Sequence, residues 1–86
     1  MDVCAGGTIS AGATSITFTN NHNKKCTITS CDMPGWPTTD PVIPKKENGV
    51  AGTQVVTLTV AAVAGNSYNY TPDVCDQGTP PQIRVQ

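Results

Sequence analysis

The sequence predicts a small all-β domain, a Greek-key β-sandwich stapled by disulfides. Three observations predict it. Apolar residues alternate with Thr and Ser at period two in several short runs. Clusters of Gly, Pro and Asn separate those runs at roughly ten-residue intervals, the spacing of sandwich strands. Four cysteines sit in a chain of 86 residues that has only one Phe, one Trp and two Tyr. A chain of this length supports one domain, spanning 1–86. A domain so short buries only about 60–65% of its unfolded surface, so a thin core calls for covalent help. No window repeats apolar residues at three and four, which excludes an amphipathic helix.

The elements follow in order. Thr8 to Ser10 reads as a short strand ended by Ala11-Gly12-Ala13. Ser15-Ile16-Thr17-Phe18-Thr19 alternates, with Ile16 and Phe18 inward. Asn20-Asn21-His22-Asn23 is a turn cluster. Cys26 to Ser30 alternates again, with Cys26 and Ile28 on one face. From Asp32 to Lys46, Pro34, Pro37, Pro41 and Pro44 exclude a central strand, because proline donates no ladder hydrogen bond. That stretch reads as a long extended loop, and Asn48-Gly49 turns the chain back. Thr53 to Val60 is the strongest strand, with Val56, Leu58 and Val60 inward. Gly65-Asn66 turns into Ser67 to Thr71, which puts Tyr68 and Tyr70 on one face. A loop from Asp73 to Pro81 carries Cys75, and Gln82 to Gln86 closes the sheet with Ile83 and Val85 inward.

Cys4, Cys26, Cys31 and Cys75 lack the clustered spacing of a zinc site, in which Cys-x2-Cys or Cys-x4-Cys pairs recur. Only Cys26 and Cys31 are close. An even count in a short, weakly charged chain reads instead as two disulfides and an oxidising compartment, secreted or periplasmic. Four cysteines allow three pairings. Pairing Cys26 with Cys31 conflicts with an extended strand, because five residues span about 16 Å and a disulfide tolerates a Cα separation of about 4.4–6.8 Å. Met1-Asp2-Val3-Cys4 has neither the basic nor the apolar region of a signal peptide, so export requires a signal already removed.

Two stretches carry a resemblance. Ile9-Ser10-Ala11-Gly12 through Ile16-Thr17-Phe18-Thr19-Asn20-Asn21 is similar to the first hairpin of the cupredoxins, the plastocyanin-like sandwiches. Gly65 to Gln86 resembles their closing segment, in which a Tyr-x-Tyr strand leads into the copper loop and a final strand. Together these stretches cover roughly half of the chain, and immunoglobulin-like sandwiches share the alternation. The copper ligands are missing. A blue-copper site takes two His, one Cys and a weak axial Met, and this chain holds one His. The resemblance puts Cys26 where the first His ligand would fall and Cys75 in the copper loop. It thereby implies a Cys26–Cys75 disulfide in place of the metal, leaving Cys4 with Cys31. It also leaves Cys4 as another neighbour for Cys75, which would pair Cys26 with Cys31 across a turn.

His22 reads as a surface-loop residue; its sharper role is that of third ligand, with Met33 as the alternative, in a soft copper(I) site built on reduced Cys26 and Cys75. Met33, Trp36, Val42 and Ile43 make the proline-rich loop a candidate binding loop. Trp36 either caps the core or offers a platform to a sugar or partner; the burial habit of large rings favours the cap. Tyr68 and Tyr70 read as core packing with hydroxyls at the rim. The Thr-x-Thr pairs are ordinary half-buried strands and lack the fixed repeat of an ice-binding face. Asn69-Tyr70-Thr71 matches a glycosylation sequon, weakened by Pro72.

Several functions are excluded. The five basic residues form no stripe, so nucleic acid and anionic membrane are poor partners. The longest apolar run, Val60 to Ala64, is far too short to insert in a bilayer. Asp32, Asp40, Asp73 and Asp76 form no calcium loop, and no Gly-x-Ser-x-Gly elbow exists. The sequence therefore predicts a non-enzymatic exported module without a cofactor. Its role is structural or binding, toward a protein or a carbohydrate, as a monomer or as part of a longer extracellular chain. The alternative is a copper(I)-handling or thiol-redox protein.

Overall fold

Alternation at period two is realised as seven strands in the computed structural model, which describes residues 1–76 and 78–86. They are β1 (Gly7–Ile9), β2 (Ser15–Asn20), β3 (Cys26–Cys31), β4 (Val42–Ile43), β5 (Gly52–Thr57), β6 (Ser67–Pro72) and β7 (Gln82–Val85). A five-stranded sheet has the order β1-β7-β6-β3-β4, and β2 and β5 form a second sheet of two strands. The β1–β7 pair is parallel, and the other ladders are antiparallel. No helix occurs among the described residues, and none is therefore long and apolar enough to cross a membrane.

Both sheets turn their apolar residues to one cluster. Ile16, Phe18 and Val56 come from the small sheet, and Cys26, Ile28, Ile43, Tyr70, Ile83 and Val85 from the large one. Phe18 lies at the centre, edge-on to Tyr70 at 5.5 Å and to Trp36 at 6.2 Å between ring centroids. Edge-to-face contacts of this kind add about 0.5–1.5 kcal/mol to the burial of the rings. The fold is thus a small all-β domain stapled by a disulfide, as the alternation implies, with one such bond among the described residues where the cysteine count implies two.

Three details depart from the expected elements. The loop from Asp32 to Lys46 contains a strand, because Val42 and Ile43 pair with Thr27 and Cys26 at the sheet edge. Proline is tolerated there because an edge strand needs only one set of ladder bonds. The strand expected to run to Val60 stops at Thr57, and Val60 is exposed. Past Leu58 the chain leaves β2, and Thr59 N donates to the Gly35 carbonyl at 2.9 Å. β3 also carries a bulge between Ile28 and Cys31, opposite Pro72 and Tyr70. The Asn48-Gly49 turn forms as expected, with positive φ at both residues and Glu47 bridged to Val50.

Candidate functional site

One end of the domain gathers sulfur and imidazole. Asp2 starts a tight turn: its carboxylate accepts from Cys4 N at 2.7 Å and its carbonyl from Gly6 N at 3.1 Å. The Tyr70 hydroxyl donates to the Val3 carbonyl at 3.0 Å from inside the core. Val3 N donates to Thr19 O at 3.0 Å, which lays this segment alongside β2. Cys4 is thereby held at the surface, where it bonds Cys75 with a Cα separation of 5.5 Å.

The pairing implied by the cupredoxin resemblance is corrected here. Cys26 does not bond Cys75, and Cys4 does not bond Cys31; the described residues hold one disulfide, Cys4–Cys75, with Cys26 and Cys31 as free thiols. The physical reason lies in where each residue is anchored. Cys26 is an inward residue of β3, fully buried, with its thiol against the Val74 and Asp73 backbone. It reaches the loop that carries Cys75, but Cys4 already occupies the outer side. Cys31 lies at the far end of the same extended strand, out of bonding reach of Cys26. Burial pushes the Cys26 thiol above its ordinary pKa, and the Asp73 charge adds to that; burial does the same for Cys31.

His22 is exposed, as a loop residue should be, yet its Nε2 lies 3.1 Å from Cys4 Sγ. Its backbone is fixed on both sides. His22 N donates to Asn20 Oδ1 at 2.9 Å, and its carbonyl accepts from Lys46 N at 2.8 Å. Asn20 is fully buried, and its Nδ2 donates to the Lys24 carbonyl at 2.8 Å and the Pro44 carbonyl at 3.2 Å. Ile16, Phe18 and Asn20 are the inward positions of β2, so a polar side chain at the third marks a built turn. Asn20 and Asp2 are the residues that sequence reasoning missed, and the period-two register was the signal for Asn20. The ligand atoms of Cys4, His22 and Cys75 lie within 4.8 Å of one another. The weak copper(I) grouping of Cys26, Cys75 and His22 is therefore changed in one member: Cys4 stands where Cys26 was expected.

The candidate binding loop is also corrected. Met33 and Ile43 are core residues, at 3% and 0% exposure, and cannot meet a partner. Trp36 is half-buried against the core cluster, the capping role expected of it. Val42 alone is exposed, at 44%, and it faces a groove of about 390 Å³ with Pro37, Pro41, Gln54, Val55 and Thr57. The groove follows the seam between the two sheets. At one end the seam is tight, because a Cβ on Gly52 would fall on the Pro44 carbonyl. Further along, Val55 is 52% exposed. Leu58 N donates to Thr14 O on the β2 side, and Thr59 N to Gly35 O on the other. Ladder alternation therefore turns the main-chain groups of Val55 and Thr57 away from β2, toward the groove.

Comparison with known proteins gives no matching family model, no matching curated protein and no matching solved structure. Fold and geometry define a small disulfide-stapled all-β domain with an outward-facing strand edge and a histidine against its disulfide.

Proposed function

We propose that this domain is a non-enzymatic, exported binding module that takes an extended protein segment along the edge of β5. The observation that carries the reading is the groove at the sheet seam, where exposed Val42 and Val55 flank main-chain groups of β5 directed outward. Strand addition uses such an edge: main-chain bonds give affinity, and pockets for alternate side chains give selectivity. Pro37 and Pro41 stiffen the opposite wall, which lowers the entropy lost on binding. Gln54 Nε2 reaches the Val55 carbonyl at 3.2 Å, a side-chain cover that a peptide would displace. Export is supported by the Cys4–Cys75 bond, since such bonds persist in oxidising compartments. On this reading the scaffold is of the cupredoxin type, with its copper ligands replaced. A single His and dispersed acids in the sequence favour binding over acid–base catalysis.

The test selects peptides from a displayed random library and maps them by amide chemical shifts. Shifts centred on Val42, Gln54, Val55 and Thr57 are expected. Val55→Pro removes an outward N–H without breaking the β2 ladder and should weaken binding at least roughly tenfold, the equivalent of about 1.4 kcal/mol. Binders that shift only the β6–β7 side would sink the reading.

A further inference from the structure

We propose that Cys4, Cys75 and His22 form a redox-gated site for a soft monovalent cation, copper(I). The ligand atoms are two sulfurs and one imidazole nitrogen, all within 4.8 Å of one another. Metal–ligand bonds of about 2.0–2.3 Å place ligand atoms roughly 3.5–4 Å apart in a trigonal site, so side-chain rotation alone accommodates an ion. Thiolates select soft ions, and copper(I) or zinc are the candidates. Zinc on three protein ligands needs a water as its fourth, whereas copper(I) is complete with two or three soft ligands, which favours copper(I) for this three-residue cluster.

Two of the three ligand residues are held independently of the S–S bond, so Cys4 and His22 keep their places when that bond opens. Asp2 and Tyr70 hold the Cys4 turn. Asn20 and Lys46 hold the His22 backbone. Supporting hydrogen bonds of this kind orient ligands before the ion arrives. Cys4 and Cys75 are half-buried and His22 is exposed, so reductant and ion have access. A recess of about 320 Å³ lined by His22, Asn23, Lys24, Asp73 and Val74 adjoins the imidazole.

The gate is the disulfide. While the sulfurs are bonded to each other they carry no thiolate charge, and the site is closed. A dithiol reductant supplies two electrons and two protons: the Cys4–Cys75 bond breaks, two thiols form, and the dithiol becomes its own disulfide. Copper(I) then binds both sulfurs, releasing their two protons to solvent, and takes the lone pair of His22 Nε2. The copper is not oxidised or reduced in this step.

The experiment titrates the full chain with copper(I) alone, anaerobically, against a chromophoric copper(I) chelator. The reduced protein should hold one copper(I) per chain, and the disulfide form should compete for none. His22→Ala should weaken the reduced site at least roughly tenfold. The double variant Cys4→Ser/Cys75→Ser keeps Cys26 and Cys31 and should lose the binding. Equal binding by the oxidised protein, undiminished binding by the double variant, or no binding by the reduced wild type overturns the proposal. If reduction unfolds the chain, copper(I) should restore the β-sheet circular dichroism of the wild type but not of His22→Ala. Failure to restore it, or equal restoration in both, overturns the proposal as well.

Discussion

Replacing Cys4 and Cys75 by Ser removes the one covalent link between the Asp2–Gly6 turn and the loop after β6. The two residues are 71 apart in sequence. Loop-closure entropy for a ring of that size is about 15 cal/mol/K, which gives about 4 kcal/mol at 25 °C. A domain of this length shifts its melting temperature by about 4–8 °C per kcal/mol, so the loss should be roughly 20 °C or more. Total stabilities are about 5–15 kcal/mol, so the variant sits near the edge of folding. The urea m-value should also rise, because an unfolded chain freed of its link exposes more surface.

Two measurements check the reasoning. Urea titration of wild type and the double variant gives the stability difference directly. Unfolding in alkylating agent without reductant, followed by intact mass, counts the thiols. Two of the four cysteines should be modified, and those two should be Cys26 and Cys31. A stability loss under about 1 kcal/mol would refute the entropic argument. No modified cysteine at all would show a second disulfide and refute the pairing.

Trp36→Ala should cost about 2–3 kcal/mol, below the range of about 3–5 for a fully buried aromatic, because Trp36 is only half-buried against Phe18; a urea midpoint unchanged from wild type would show that the ring caps nothing. Asn20→Ala leaves the Lys24 and Pro44 carbonyls and His22 N without their partner and should cost about 2–4 kcal/mol; Asn20→Asp, which keeps only the acceptor, should recover little of it in the same titration. Burial first, then nearby acids, raises the pKa of Tyr70 and of the Cys26 and Cys31 thiols above ordinary values of 10.0 and 9.0. The folded chain therefore holds these protons more tightly than the unfolded one. Stability is complete below about pH 9 and falls as pH rises above it; urea midpoints that stay constant from pH 7 to 11 would contradict this.

Local pattern was legible wherever it is enforced by alternation. Ile16, Phe18, Ile28, Val56, Tyr70, Ile83 and Val85 are inward because a one-residue slip would expose every one of them. Asn48-Gly49 was legible because few other dipeptides take positive φ twice. What could not be read was set by long-range contacts. Val60 fits the alternation of β5, yet the strand ends three residues earlier, at Thr57, and Thr59 bonds Gly35, a partner 24 residues distant that no local rule names. Val42 and Ile43 sit between Pro41 and Pro44, and their pairing depends on β3 offering a vacant edge. The cysteine partners were illegible for the same reason: alternation fixes that Cys26 points inward, but which sulfur meets Cys75 depends on the turn at Asp2.

That turn also decides how the candidate metal site and the core depend on each other. The segment from Asp2 to Gly6 is bound by the Tyr70 hydroxyl, by the Thr19 bridge and by the Cys4–Cys75 bond. Each hydrogen bond contributes about 1 kcal/mol net, against about 4 kcal/mol for the covalent link. The link dominates the global stability, yet it acts mainly on the unfolded chain and says little about where Cys4 sits in the folded one. Position is set by the hydrogen bonds, because only they discriminate between arrangements of the folded state. Reduction should therefore lower stability strongly while moving Cys4 little in the fraction that stays folded. Tyr70→Phe should do the reverse: it costs only about 1–1.5 kcal/mol, but it releases the Val3 carbonyl and loosens Cys4 relative to His22. Hydrogen exchange at the Cys4 and Gly6 amides separates the two effects. Faster local exchange in Tyr70→Phe than in the folded, reduced wild type is the expected result. The opposite order would mean that the disulfide itself, and not the turn, places the sulfur beside the imidazole.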